Sequence, residues 1–401
     1  FTATVRADGS SKFGGNNQYG IFPSAAFAWK LNQEDFINED VFSTFKLRVS
    51  WGITGNQDGL GYGQFVNRTR WSDLEIAANS QLSAPATEEV AFANPDLKWE
   101  ETAQYGFGID LGFNLDRFTA SIDLYRKETT DILLNLPAVQ PATTPFVFQN
   151  VDGKIVNQGV ELGINYDVIA TEDWNWNVNF NISYNQNELT NYDGPNLQAG
   201  NLYGQGLTGS TSQVLTNGRP LYTYNLREVD ENFQVDTNPT ILDESGLPKV
   251  ISGLSTSASY KNWDAALYFS GQFGFYVYNN TANALFASPQ IGSRNNLRSV
   301  MDDNVILSAT NPSTYFLEKG DFVRLQTASI GYNVPLSGDG ALDSMRLSLA
   351  GQNLFLISGY SGLDPEVSTT DIPDNGLPSA SIDYLSYPRP LTVTLGVNVT
   401  F

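Results

Sequence analysis

From Leu391 to Phe401 the chain alternates without a break. Leu391, Val393, Leu395, Val397, Val399 and Phe401 are large and apolar, whereas Thr392, Thr394, Gly396, Asn398 and Thr400 are polar or glycine. Successive side chains of a strand point to opposite faces, so this stretch builds a strand with one apolar and one wet face. A half-buried sandwich strand alternates in the same way. The length also matches the roughly 9–11 residues of a tilted membrane strand.

The pattern recurs. Ala3, Val5 and Ala7 open the chain, and Ala25, Phe27, Trp29 and Leu31 follow. Phe45, Leu47, Val49, Trp51 and Ile53 oppose Lys46, Arg48, Ser50 and Thr54. Tyr105 to Phe113, Phe118 to Leu124 and Val160 to Val168 repeat it. The clearest case sets Trp174, Trp176, Val178, Phe180, Ile182 and Tyr184 against Asn175, Asn177, Asn179, Asn181, Ser183 and Asn185. With segments near 254–260, 264–277, 322–334 and 345–357 and the last strand, the reading gives about twelve strands. A row of asparagines cannot sit in a dry core without dense pairing. A water-filled lumen accepts it.

Connection lengths alternate too. Short ones follow Phe113, Ala170 and Tyr260, with a somewhat longer one at 335–344. Long ones span 57–97, 135–155, 190–252, 278–321 and 358–390. Long loops on one rim and short turns on the other predict an all-β, transmembrane antiparallel β-barrel. Trp29, Trp174, Trp176, Trp263, Tyr166, Tyr260 and Tyr332 all fall at the short-turn rim, as an interfacial aromatic girdle requires. On this reading Phe45, Val49, Phe107, Ile122, Leu162, Val178, Phe180, Ile182, Leu395 and Val397 face lipid. Arg48, Asp110, Glu161, Asn177, Asn179 and Asn181 face the lumen.

Composition narrows the function. With 22 Lys and Arg against 43 Asp and Glu, the net charge of −21 excludes a basic nucleic-acid surface. There is no Cys and no His, which removes disulfides, thiol chemistry, His-based triads and nearly every zinc site. Glu88-Glu89, Glu100-Glu101 and Asp302-Asp303 are carboxylate pairs, but neighbours on a strand point apart and cannot share a substrate. No enzymatic activity is expected. Loop acids Asp230, Glu231, Asp236, Asp243 and Glu244, or Asp371 and Asp374 with Asn375, offer oxygen ligands for calcium. Turn chemistry accounts for them better, so no cofactor is expected. Trp71, Tyr203, Tyr222, Tyr224 and Phe233 lie on long loops and are candidate ligand-stacking residues, with Tyr222 and Tyr224 preferred. Packing of the loops on themselves is the competing account.

Several segments carry a resemblance. They are LRVSWGITGNQ from Leu47, NPDLKWEET from Asn94, NQGVEL from Asn157 and GDFVRL from Gly320. GQNLF from Gly351, YSGLDPE from Tyr360 and YPRP from Tyr387 complete the set. In this order and spacing the chain resembles the C-terminal part of the SusC/RagA-like TonB-dependent transporters of the Bacteroidetes outer membrane. The resemblance implies a barrel of about 22 strands, of which residues 1–401 supply about twelve, with plug domain and N-terminal strands absent. Phe401 resembles the terminal aromatic that serves as a membrane-insertion signal. Implied partners are a SusD-like lipoprotein lid, TonB through the absent N-terminal part, the remainder of the barrel, outer-membrane lipid, and a glycan, oligosaccharide or peptide substrate. A passive porin and a secretion or adhesion barrel are the alternatives.

Overall fold

The computed structural model describes every residue except 39, 67, 72–86, 92–93, 140–145, 205–206, 208, 287–290, 293–294, 297, 299–311, 337–341, 369–376 and 378. For 68–71 and 87–91 it describes the backbone alone. Twelve strands form one antiparallel sheet in chain order. They are β1 (Thr2–Gly9), β2 (Tyr19–Lys30), β3 (Thr44–Asn56), β4 (Glu100–Phe113), β5 (Phe118–Thr130) and β6 (Lys154–Ala170). Then come β7 (Trp174–Thr190), β8 (Val250–Tyr260), β9 (Trp263–Phe273), β10 (Phe322–Val334), β11 (Ser344–Ser358) and β12 (Thr392–Thr400). Each strand pairs with its sequence neighbours, and no pairing joins β1 to β12.

The register carries the alternation from strand to strand. Ile109, Ile122, Leu162 and Ile182 face one another in a row, as do Phe45, Leu111, Ala120, Ile164, Phe180 and Leu254. Val49 pairs with Phe107, Val178 with Tyr166, Leu395 with Leu349 and Val397 with Leu347. These residues share one face, and none belongs to a buried cluster; Leu395 is 75% and Val397 55% exposed. Arg48, Asp110, Glu161, Asn177, Asn179 and Asn181 occupy the opposite face by the same register.

Rings gather beside the short connections. Phe42 touches Phe45 and Phe113, Phe113 touches Phe118, and Phe118 touches Tyr166, at centroid distances of 5.1 to 6.0 Å. Trp174 meets Tyr260 at 5.2 Å and Trp263 meets Tyr332 at 4.5 Å. The tight turn Asn114-Leu115-Asp116 holds three consecutive residues at φ 53°, 59° and 61°, and Asn and Asp tolerate that left-handed conformation better than most. The expected strand at 264–277 ends earlier, at Phe273. Gly274 at φ 77° turns the chain out of the sheet, and Tyr276–Asn279 pairs elsewhere. Most strands run several residues further toward the long loops than alternation alone implied, as β6 does from Lys154.

The buried core lies mainly in the long connections. Residues 191–249 contribute a four-stranded sheet of Leu197–Asn201, Thr211–Leu215, Thr223–Leu226 and Thr240–Ser245. Tyr276–Asn279, Leu317–Lys319 and Ile382–Asp383 form a three-stranded sheet that joins the last two long connections. A short helix, α1 (Asn280–Leu285), is capped by the Asn279 side chain, which accepts the Ala282 N–H. Leu202, Leu207, Leu226, Tyr278, Phe316 and Ile382 make the main cluster.

Candidate functional site

Three long connections thus fold into one packed cap at one rim, and the aromatic candidates take different places in it. Tyr224 is fully buried in the main cluster. Its hydroxyl donates to the carbonyls of Tyr276 at 3.0 Å and Ser381 at 2.8 Å, stitching the three connections together. Burial pushes its pKa well above that of a free tyrosine. A side chain so enclosed offers no surface to a ligand, so the structure places Tyr224 in the core rather than in a binding wall. The sequence pattern Tyr222-Thr223-Tyr224 does not reveal which ring turns inward.

Tyr222 stays half-buried at φ 59°. Its carbonyl accepts the Gly246 N–H, and the preceding Leu221 N–H donates to Asn187 Oδ1 of β7 at 2.8 Å. It lines a cavity of about 170 Å³. The other walls include Ile132 and Leu134, Leu189 of β7, and Ala199 and Leu215 of the four-stranded sheet. Tyr203 is half-buried, with its ring 5.9 Å from Tyr384. Phe233 is 48% exposed at φ 59°, on a turn that Asp230 ties by accepting the N–H groups of Asn232 and Gln234. Its ring meets Tyr315 edge-on at 6.5 Å. The side chain of Trp71 lies outside the described residues, as do Asp371, Asp374 and Asn375.

The polar face of the sheet carries a charged network. Arg48 grips Asp110 through Nε at 2.9 Å and Nη2 at 2.7 Å, and reaches Asp123 at 2.9 Å. Gly108 stands opposite Arg48, and a Cβ there would fall 2.7 Å from the guanidinium. Glycine leaves room for the fork. Arg48, Asp123, Tyr125, Lys127 and Glu161 line a polar recess of about 320 Å³. Further along, Asn177 donates to Asn165 and Asp167, both at 2.8 Å. Asp264 and Arg346 form a two-pronged pair at 2.6 and 2.7 Å.

Sequence reasoning assigned no role to Arg324, which is 1% exposed although it is an arginine. It donates to Asn353 Oδ1 and Asp364 Oδ1, both at 2.5 Å. Asn353 sits at φ 52° and donates to the Arg389 carbonyl, while the Arg389 guanidinium reaches Glu366 at 2.7 Å. The GDFVRL, GQNLF, YSGLDPE and YPRP segments therefore meet in one knot that ties the connection after β11 to the wall. Tyr360 of the same segment donates to buried Asp383 at 2.7 Å. The NPDLKWEET segment works alike: Leu97 and Trp99 pack with Phe13, Phe22 and Leu60 against the wall. Those segments were the available signal, but nothing in them says that their residues converge.

An antiparallel sheet with a continuous apolar face, a polar face, a ring of aromatics at the short-turn rim and packed loops at the other defines a bacterial outer-membrane β-barrel. The chain belongs to the TonB-dependent receptor-like β-barrel family, whose profile matches residues 1–398. It lies in the outer membrane, and the family is one of receptors rather than enzymes. It is 30% identical over 447 residues to the TonB-dependent receptor SusC of Bacteroides thetaiotaomicron, covering 100% of this chain and 42% of that protein. It is 29% identical over 443 residues to the TonB-dependent receptor P3 of Formosa agariphila, covering 100% and 44%. Among solved structures, that of the RagAB peptide transporter superposes with a TM-score of 0.79 at 23% identity, over 100% of this chain and 45% of that one, and shows the fold alone. The chain spans less than half the length of these relatives.

Proposed function

We propose that this chain forms part of the wall and outer-loop cap of a TonB-dependent importer that takes up glycans, oligosaccharides or peptides with a SusD-like surface lipoprotein. The observation that carries the reading is the packed cap on the long-loop rim, above a sheet whose polar face is lined by Arg48, Asp123, Glu161 and the asparagine row. A passive pore has no need of a cap knotted by the buried Arg324–Asp364 pair. The relatives point the same way: one is the receptor SusC, and one structural neighbour is a peptide transporter.

In this reading Phe45, Val49, Phe107, Ile122, Leu162, Val178, Phe180, Ile182, Leu395 and Val397 face lipid, and the polar set faces the lumen. Phe401, 83% exposed beyond the last strand, acts as the insertion signal. β1 and β12 each lack a second ladder partner among the described residues, and lipid cannot satisfy a bare edge. Further strands of the same barrel pair with them. The test is uptake. Deleting the full-length gene should abolish growth on the glycan or peptide mixtures that the wild type uses, and removing TonB should do the same. Uptake through the barrel that persists without TonB would move the porin reading to first place. Affinity purification of the full-length protein should retain a lipoprotein.

A further inference from the structure

We propose that the cavity beside Tyr222 is a subsite for one aliphatic or aromatic side chain of a peptide, and that it favours peptides over glycans. The proposal rests on the import reading above. The cavity measures about 170 Å³, and its walls are aliphatic apart from Tyr222. An apolar cavity of about 150 Å³ stays dry and accepts a benzene-sized group. One leucine or phenylalanine side chain is of that order. A sugar ring is a poor occupant, because its hydroxyls would enter a wall that offers a single phenol, and buried polar groups without partners are penalised.

The walls come from five places: Ile132 and Leu134 from the connection after β5, Ile155 from β6, Leu189 from β7, Ala199 and Leu215 from the cap sheet, and Leu377 from the connection after β11. A site built where cap meets wall is held from both sides. Tyr222 is fixed in the same way. Its left-handed backbone is unfavourable for a bulky residue and persists only because Asn187, Ser245 and Gly246 hold residues 221 and 222. Its hydroxyl has no partner among the described residues, which leaves it available to a peptide N–H or carbonyl. Apolar walls with one polar group for orientation are the usual make-up of a small-ligand site.

The experiment uses the full-length protein. Crystals pressurised with xenon should show xenon beside Tyr222, and Ala199→Leu should exclude it. In solution, without lid or TonB, Gly-Leu-Gly should bind about tenfold or more tighter than Gly-Ser-Gly, as expected for burying one leucine side chain. Ala199→Leu should erase the difference. Leu134→Ala should enlarge the cavity and shift preference toward Gly-Trp-Gly, which keeps the test valid if Ala199→Leu misfolds. Absence of xenon from the wild type, equal binding of the Leu and Ser peptides, or binding of neither overturns the proposal. These readouts need no energised import, so failure of TonB-dependent uptake would leave them standing.

Discussion

The wall and the cap solve opposite problems with the same residue types. In the wall, apolar side chains such as Val49, Leu124, Leu349 and Leu395 share one exposed face of the sheet, and the polar side chains pair among themselves. Backbone ladders between neighbouring strands hold it together. In the cap, Leu202, Leu207, Tyr224, Leu226, Tyr278 and Ile382 turn inward and exclude solvent, as in a water-soluble domain. The difference teaches that apolar periodicity identifies a face, and only the surroundings decide whether that face is inside. A sheet in lipid exposes the face that a loop domain in water must bury.

Substitutions can break this contrast, beginning with the strongest. Arg324→Ala should cost about 3 kcal/mol, because it strips buried Asp364 of its close cation and leaves it only the Glu366 N–H and an Arg389 guanidinium 4.0 Å away. The loss should show as cap proteolysis while the sheet still resists heat in detergent. A uniform loss of both would mean that wall and cap are one cooperative unit. Leu162→Arg, at mid-strand on the apolar face, should hinder insertion by roughly 2–4 kcal/mol. Asn179→Arg on the polar face should be mild. Equal effects in a vesicle-folding assay would contradict the facing assignment. Tyr224→Phe keeps the ring but removes the hydroxyl from the Tyr276 and Ser381 carbonyls, of which that of Ser381 still accepts the Tyr278 N–H, and should loosen the cap by about 1 kcal/mol. Hydrogen exchange at 276–279 and 381–383 would rise and that of β7 would not.

The gentlest probe is alkaline pH. Burial raises the pKa of Tyr224, Tyr278 and Tyr360 above the ordinary 10.0. The folded cap therefore holds these protons more tightly than the open one. Their contribution is complete below about pH 10 and is lost as pH climbs beyond it. Absorbance titration should show most of the 19 tyrosines ionising first and a small buried set ionising only as the cap opens. Early ionisation of all of them would show that the cap is looser than its packing indicates.

Much of the wall was legible because a two-residue period writes itself directly into the sequence. The alternation of Trp174 to Tyr184 gives β7 and its two faces without any tertiary information. Strand ends were less legible. Near the long loops, Gln158 of β6 and Gln186 of β7 stand where alternation calls for apolar residues, and their side chains bond across the strands and break the apolar beat. Bulges were invisible as well, such as the shift between Leu325 and Thr327 where Asn353 inserts. The cap was hardest, since its contacts join distant segments. Nothing local at Tyr224 announces a carbonyl at Ser381, and nothing at Arg324 announces Asp364.

The bond from Tyr224 to Ser381 spans 157 positions, whereas every ladder of the wall joins strands adjacent in the sheet order. Contacts of long sequence separation form late, after the shorter closures that bring their ends together. The cap core cannot be complete until residues 381–383, which lie just ahead of the last strand, have arrived. Until then Leu202, Leu226 and Tyr278 are apolar surface in water rather than in lipid. The cap is accordingly the part of the chain expected to make the greatest call on chaperones during biogenesis.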